Sequence, residues 1–64
     1  MIKKVGEMIK IVEKDGWYLF SQKGSHMQFK HLTKEGKVTI PNHGKNKDMT
    51  HEMVKSILKQ AGLK

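Results

Sequence analysis

The sequence predicts an α+β fold in which helices and strands follow one another in the order α-β-β-β-α. Segments near the start and the end of the chain carry apolar residues at the i, i+3, i+4, i+7 spacing of one helical face. The segment between them has the aromatic runs and alternation typical of strands, and glycine and proline interrupt it. Two such helices and a three-stranded antiparallel sheet fit together when both helices cover one sheet face and leave the other open.

The first helix is predicted over residues 4–15, and Gly16 follows it as a residue that can take the left-handed conformation common at helix ends. Its apolar face has four members, Val5, Met8, Ile9 and Val12. The charged side chains between them then point to solvent.

Three strands are predicted in the middle of the chain. The first begins with the apolar run 17–20 and ends at a two-residue turn, Lys23-Gly24. The second covers residues 25–31, where Met27 and Phe29 alternate with polar neighbours. The third covers residues 37–40, and Pro41 ends it because proline cannot donate to a strand ladder.

The second helix follows a basic loop over residues 42–48, and Asp48 or Thr50 is expected to cap it. Gly62 followed by Leu63 predicts a Schellman-type end. Its apolar face is expected to contain Met53, Val54, Ile57, Leu58 and Ala61.

The predicted turn also predicts which side chains face outward. If Lys23-Gly24 is the loop, Phe20 and Tyr18 lie under the helices, whereas His26 lies on the open face. Trp17 then shares the open face, which suggests a surface for a partner protein. The competing interpretation is that Trp17 is a core residue at the edge of a helix. A three-residue loop would exchange the two faces of one strand.

The length and charge of the chain limit its function. A chain of 64 residues has room for one domain, expected over 1–64. It has no cysteine, and the absence of a long apolar run or a signal-peptide pattern favours a cytoplasmic protein that does not enter membranes. The net charge is +7, and the chain has lysine but no arginine. This charge points to a polyanionic partner, and lysines would contact a nucleic acid mainly through its phosphate backbone.

The side chains that could do chemistry are few. The six acidic residues are spread out, with no carboxylate cluster for magnesium, and no serine lies in a nucleophile motif. The four histidines lack the spacing of a zinc site. We therefore predict neither a metal site nor a cofactor. RNA brings its own nucleophile, the 2′-hydroxyl, so histidine and lysine would be sufficient to cleave it. On composition alone, a single histidine after a glycine turn is more often an exposed polar strand residue than a catalyst, so a catalytic role for His26 needs a more specific signal.

Four short motifs spread along the chain resemble the HicA family of toxin ribonucleases. They are Asp15-Gly16-Trp17, Gln22-Lys23-Gly24-Ser25-His26, Thr39-Ile40-Pro41-Asn42-His43 and Ile57-Leu58-Lys59-Gln60-Ala61-Gly62-Leu63. The resemblance implies an α-β-β-β-α fold like that of double-stranded-RNA-binding domains, with cleavage of messenger RNA as the activity and a HicB antitoxin as the inhibitor. It also implies that His26, in the Gly-Ser-His triplet, is the catalytic histidine.

Other residues follow from the motifs with less specific roles. The resemblance suggests that His43 assists catalysis or binds phosphate, the alternative being a loop histidine without a role. Gly24 is expected to aim the residues after it, and Ser25 to bind either phosphate or the turn backbone. His31 and His51 match no functional motif. The candidates for a phosphate track are Lys23, Lys30, Lys37, Lys45 and Lys47.

The leading hypothesis is thus a metal-independent endoribonuclease toxin that acts on mRNA and is neutralised by a HicB-type protein. One alternative is a catalytically silent RNA-binding module with the same fold. The other is a protein-interaction domain whose positive charge meets an acidic partner.

Overall fold

The computed structural model describes residues 3–63, so Met1, Ile2 and Lys64 of the predicted domain lie outside it. Its elements are β1 (Lys3–Lys4), α1 (Val5–Lys14), β2 (Trp17–Lys23), β3 (His26–His31), β4 (Val38–Pro41), β5 (Asp48–Met49) and α2 (His51–Gln60). Strands β2, β3 and β4 form an antiparallel sheet in that order, which confirms the predicted α+β class and the α-β-β-β-α order of the main elements.

Both helices cover the same face of this sheet. The predicted stripe of α1 is buried, and it packs with Val54 and Ile57 of α2 and with Ala61, the C-cap residue of that helix. The sheet contributes Met27 and Phe29 of β3, paired with Ile40 and Val38 of β4. The opposite face, here called the open face, consists of Tyr18, Ser21, Lys23, His26, Gln28, Lys30, Thr39 and Pro41, together with the Phe20 ring that contacts Lys30.

The second helix has the ends that its sequence predicts. Of the two candidate caps, Thr50 fills the role, because its side chain accepts a hydrogen bond of 3.2 Å from the Met53 N–H. At the other end, the N–H groups of Gly62 and Leu63 donate to the carbonyls of Lys59 and Leu58, the Schellman pattern. Met53 remains 38% exposed, so the predicted apolar face is narrower than its five residues.

A second, two-stranded sheet was not predicted. Strand β1 pairs with β5, which lies in the segment assigned to the basic loop and the start of α2. The same segment also forms hydrogen bonds with the first turn of α1, where the N–H groups of Val5 and Gly6 donate to the carbonyls of Lys47 and Lys45. These contacts satisfy helix donors that would otherwise lack partners. Met49, absent from the predicted core, is 2% exposed as a result.

The predicted hairpin register is wrong. Lys23 pairs with His26, so the two-residue loop is Gly24-Ser25. Farther along, the register shifts between Leu19 and Ser21, which makes Phe20 a bulge residue. Because a bulge adds one residue to one strand, it reverses the faces of the residues beyond it.

The bulge places Trp17 in the core and Tyr18 and Phe20 outside it. Trp17 is 2% exposed, whereas Tyr18 and Phe20, predicted to lie under the helices, are 45% and 42% exposed. The expectation that Trp17 forms a partner surface is therefore wrong, and the competing core interpretation is correct. Nearer the turn, the predicted faces hold, and His26 is exposed as expected.

A hydrogen-bonded cluster joins the ends of both helices to the sheet. The Asp15 carboxylate accepts from the Trp17 indole N–H at 3.2 Å and from the Lys34 ammonium at 2.5 Å. Lys34 also donates to the carbonyl of Ala61, the C-cap residue of α2. His31 packs edge-on against Trp17, and its Nε2 lies 2.7 Å from the Asp15 carbonyl. Gly16 is required here, because its φ is +105° and a Cβ would lie 2.7 Å from that Nε2.

The hydrogen bond from Lys34 lowers the pKa of Asp15 below its ordinary value of 3.8. Stabilisation from this group is therefore present above that value and lost as the pH falls through the folded-state pKa. We expect the free energy of unfolding of Lys34→Met to fall less steeply than that of the parent as the pH drops below about 4. Urea unfolding of both proteins from about pH 5 to pH 2.5 tests this, with Lys37→Met as the control. Parallel profiles for parent and Lys34→Met would contradict the assignment.

Candidate functional site

His26 is the first residue of β3, and its exposed side chain lies on the open face. Its Cα partners are Lys23 in β2 and Pro41 in β4. Directly opposed residues of an antiparallel pair have Cβ atoms about 4.5–5.5 Å apart. His26 and Lys23 therefore project from the same face of the sheet at directly opposed positions.

The turn before His26 is built from Gly24 and Ser25. Gly24 has a φ of +55°, a conformation that glycine takes without strain, and no atom lies within 4 Å of the position of an added Cβ. A side chain at Gly24 would thus disturb the turn through its backbone conformation and not through a clash. The Ser25 carbonyl accepts a hydrogen bond of 2.6 Å from the Asn42 N–H.

Asn42 connects this turn to the segment that carries His43. Besides the bond to Ser25, its side-chain amide lies 3.2 Å from the Met27 sulfur, and its Oδ1 accepts from the Gly44 N–H at 2.9 Å. The structure therefore holds the exposed His43 segment beside the turn that precedes His26. Sequence reasoning did not assign a role to Asn42. The local signal was an asparagine after Pro41, a residue type that often bonds the backbone two positions on.

A groove of about 300 Å³ extends from His26 across β4 to α2. Its floor includes Thr39 and Pro41, and the Thr39 N–H donates to the Gln60 side-chain oxygen at 3.1 Å. The helix side consists of Met53, Ser56, Ile57 and Gln60. None of these helix residues was predicted to lie near His26, because no sequence spacing relates them to it.

The five candidate lysines lie in three separate places. Lys23 is beside His26. Lys30 and Lys37 line a second groove at the other end of β3, and the Lys30 ammonium lies 5.0 Å from the centre of the Phe20 ring. Lys45 and Lys47 belong to the loop that closes on α1. The structure thus divides the predicted phosphate track into separate groups.

The two remaining histidines are His31, the last residue of β3, and His51 in α2. Nδ1 of His31 accepts from the N–H groups of Thr33 and Lys34, at 3.0 and 3.2 Å, so His31 belongs to the cluster around Asp15. His51 is the first residue of α2. Over residues 3–63, the His, Asp and Glu side chains form no group of three or more that could hold a metal ion. No helix in that range has the length and apolar character to cross a membrane.

The fold and the site define a small, basic α+β protein with a histidine and lysine pair on the open face of its sheet. The family model described as the HicA toxin of bacterial toxin-antitoxin systems matches residues 5–63. The chain therefore belongs to the HicA toxin family, which makes it a toxin with a cognate antitoxin as partner. A search of the curated proteins found no match.

Proposed function

We propose that this toxin is an endoribonuclease that cleaves messenger RNA in the cytoplasm without a metal ion, and that a HicB-type antitoxin neutralises it. The observation that supports the proposal most directly is the pairing of His26 with Lys23 on the open face. The pair supplies a group that can transfer a proton near neutral pH and a fixed positive charge.

The reaction needs little else from the protein. The 2′-hydroxyl oxygen of one nucleotide attacks the adjacent phosphorus, and the bond from phosphorus to the 5′ oxygen of the next nucleotide breaks. A base removes the proton of the 2′-hydroxyl, and an acid protonates the leaving 5′ oxygen. The products are a 2′,3′-cyclic phosphate and a 5′-hydroxyl. We assign one proton transfer to His26.

Lys23 and the segment around Asn42 have supporting roles in the proposal. The Lys23 ammonium stabilises the negative charge that develops on the phosphate oxygens. His43, held near the turn by the Asn42 contact to Ser25, serves as the second proton-transfer group or as a phosphate ligand. The Ser25 hydroxyl provides a further donor to phosphate, and Gly24 holds the turn that aims both residues.

The antitoxin is proposed to act by covering the open face around His26. A protein that complements this face needs acidic side chains opposite the lysines and a segment that fills the groove between β4 and α2. Such a cover excludes RNA without having to change the toxin fold.

Cleavage of labelled single-stranded RNA in excess EDTA tests the activity. We expect products that end in a 2′,3′-cyclic or 3′-phosphate, and no cleavage of DNA, because DNA lacks the 2′-hydroxyl. Loss of cleavage in chelator with recovery on adding magnesium would contradict the mechanism. Retention of RNA without products would favour the silent RNA-binding module, and no interaction would favour a protein-interaction domain.

A further inference from the structure

We infer that the far end of the open face, about four residues along β3 from His26, is a stacking site for unpaired bases of single-stranded RNA. This inference rests on the proposed function and adds a substrate subsite to it. The site consists of Tyr18 and Phe20 on β2, Lys30 on β3, and Lys37 just before β4. Here it is called the aromatic site.

Two aromatic side chains, Tyr18 and Phe20, are exposed on the open face, where a ligand could cover them. Tyr18 and Phe20 are 45% and 42% exposed, although a chain of 64 residues has few large apolar side chains for its core. The bulge at Phe20 turns both away from the helices. Aromatic rings on an open sheet face are a common way for proteins to stack unpaired bases.

The lysines around the two rings favour RNA as the ligand over an apolar protein segment. Tyr18 is directly opposed to Lys30, whose ammonium lies 5.0 Å from the centre of the Phe20 ring. Lys30 and Lys37 line one groove of about 480 Å³ with Phe20, and Glu35 is the acidic residue of its wall. Aromatic faces bordered by lysines match a ligand that alternates bases with phosphates.

The distance to His26 fits a single continuous strand of RNA. His26, Gln28 and Lys30 project from the same face of β3, and four residues of strand span about 13 Å. A single strand that crosses the face along β3 therefore meets the aromatic site with one segment and the pair of His26 and Lys23 with another. The aromatic site would then select unpaired over double-helical RNA, because stacked and paired bases cannot reach the rings.

The test uses short single-stranded RNA with 2′-O-methyl groups, which cannot be cleaved, so that binding is measured apart from catalysis. We expect the Tyr18→Leu/Phe20→Leu variant to bind about 5- to 100-fold more weakly than the parent. A 2-aminopurine base in the RNA should lose fluorescence on binding the parent and much less on binding the variant. Glu35→Gln should tighten binding, and Leu32→Ala, which changes an 87% exposed apolar residue outside the site, should leave it unchanged.

Equal affinity and equal fluorescence change for parent and double variant would overturn the inference. So would a double variant that binds RNA normally but no longer binds the antitoxin or a second copy of the chain, because the site would then be a protein interface. Failure of the parent to cleave unmodified RNA, with stacking intact, would refute the proposed catalysis and leave the aromatic site standing.

Discussion

Replacing His26 with alanine is expected to slow RNA cleavage by about 10²- to 10⁴-fold, the usual effect of deleting a general acid or base. The fold should survive, because His26 is an exposed residue at the start of β3 and such a truncation changes stability by no more than about 0.5 kcal/mol. Cleavage rate, melting temperature and antitoxin affinity measured on one preparation check this. The variant should still bind its antitoxin, since one truncation rarely removes most of the energy of a broad interface.

His26→Gln is the matched control for size and polarity. Glutamine keeps hydrogen-bonding groups at this position but cannot exchange a proton near neutral pH, so it should be as inactive as alanine. Recovery of activity in His26→Gln would show that the imidazole only orients the substrate. Parental cleavage by a folded His26→Ala protein would refute the catalytic assignment, and an unfolded one would refute its exposed placement.

Local patterns predicted the helices and the general order of the fold. The spacing of Val5, Met8, Ile9 and Val12 requires only a period of 3.6 residues, and all four are buried. Gly16 and Gly62 marked helix ends because their backbone conformations, with φ of +105° and +70°, are those that glycine favours. Each of these signals lies within a few residues of the feature that it predicts.

Features that depend on contacts between distant segments were missed. No glycine in the sequence indicates the bulge at Phe20, yet this bulge determines which side chains of β2 are buried. The pairing of β1 with β5 joins residues more than 40 positions apart through two-residue strands, too short for a sequence pattern. The hydrogen bond from Asn42 to Ser25 and the groove from His26 to α2 also had no sequence signal, because each joins segments that are far apart in the chain.

Trp17→Ala is expected to destabilise the protein by about 3–5 kcal/mol, as large aromatic truncations in a core do. Trp17 is 2% exposed, donates its indole N–H to Asp15, and packs edge-on against His31 at a centroid distance of 5.2 Å. A domain of this size has a total stability of about 3–10 kcal/mol, so the variant should lose between about a third and all of its free energy of unfolding. Urea unfolding followed by circular dichroism measures the loss.

Two control variants, Leu32→Ala and Trp17→Phe, test whether the loss of stability in Trp17→Ala comes from the burial of the tryptophan. Leu32 is also a large apolar residue but is 87% exposed, so its truncation should change stability by less than about 0.5 kcal/mol. Trp17→Phe keeps a ring in the core, loses the bond to Asp15, and should fall between parent and alanine variant. A Trp17→Ala protein as stable as the parent but weakened in antitoxin binding would place Trp17 at the partner surface after all. Loss of stability in solution without any antitoxin is the result that the buried position requires.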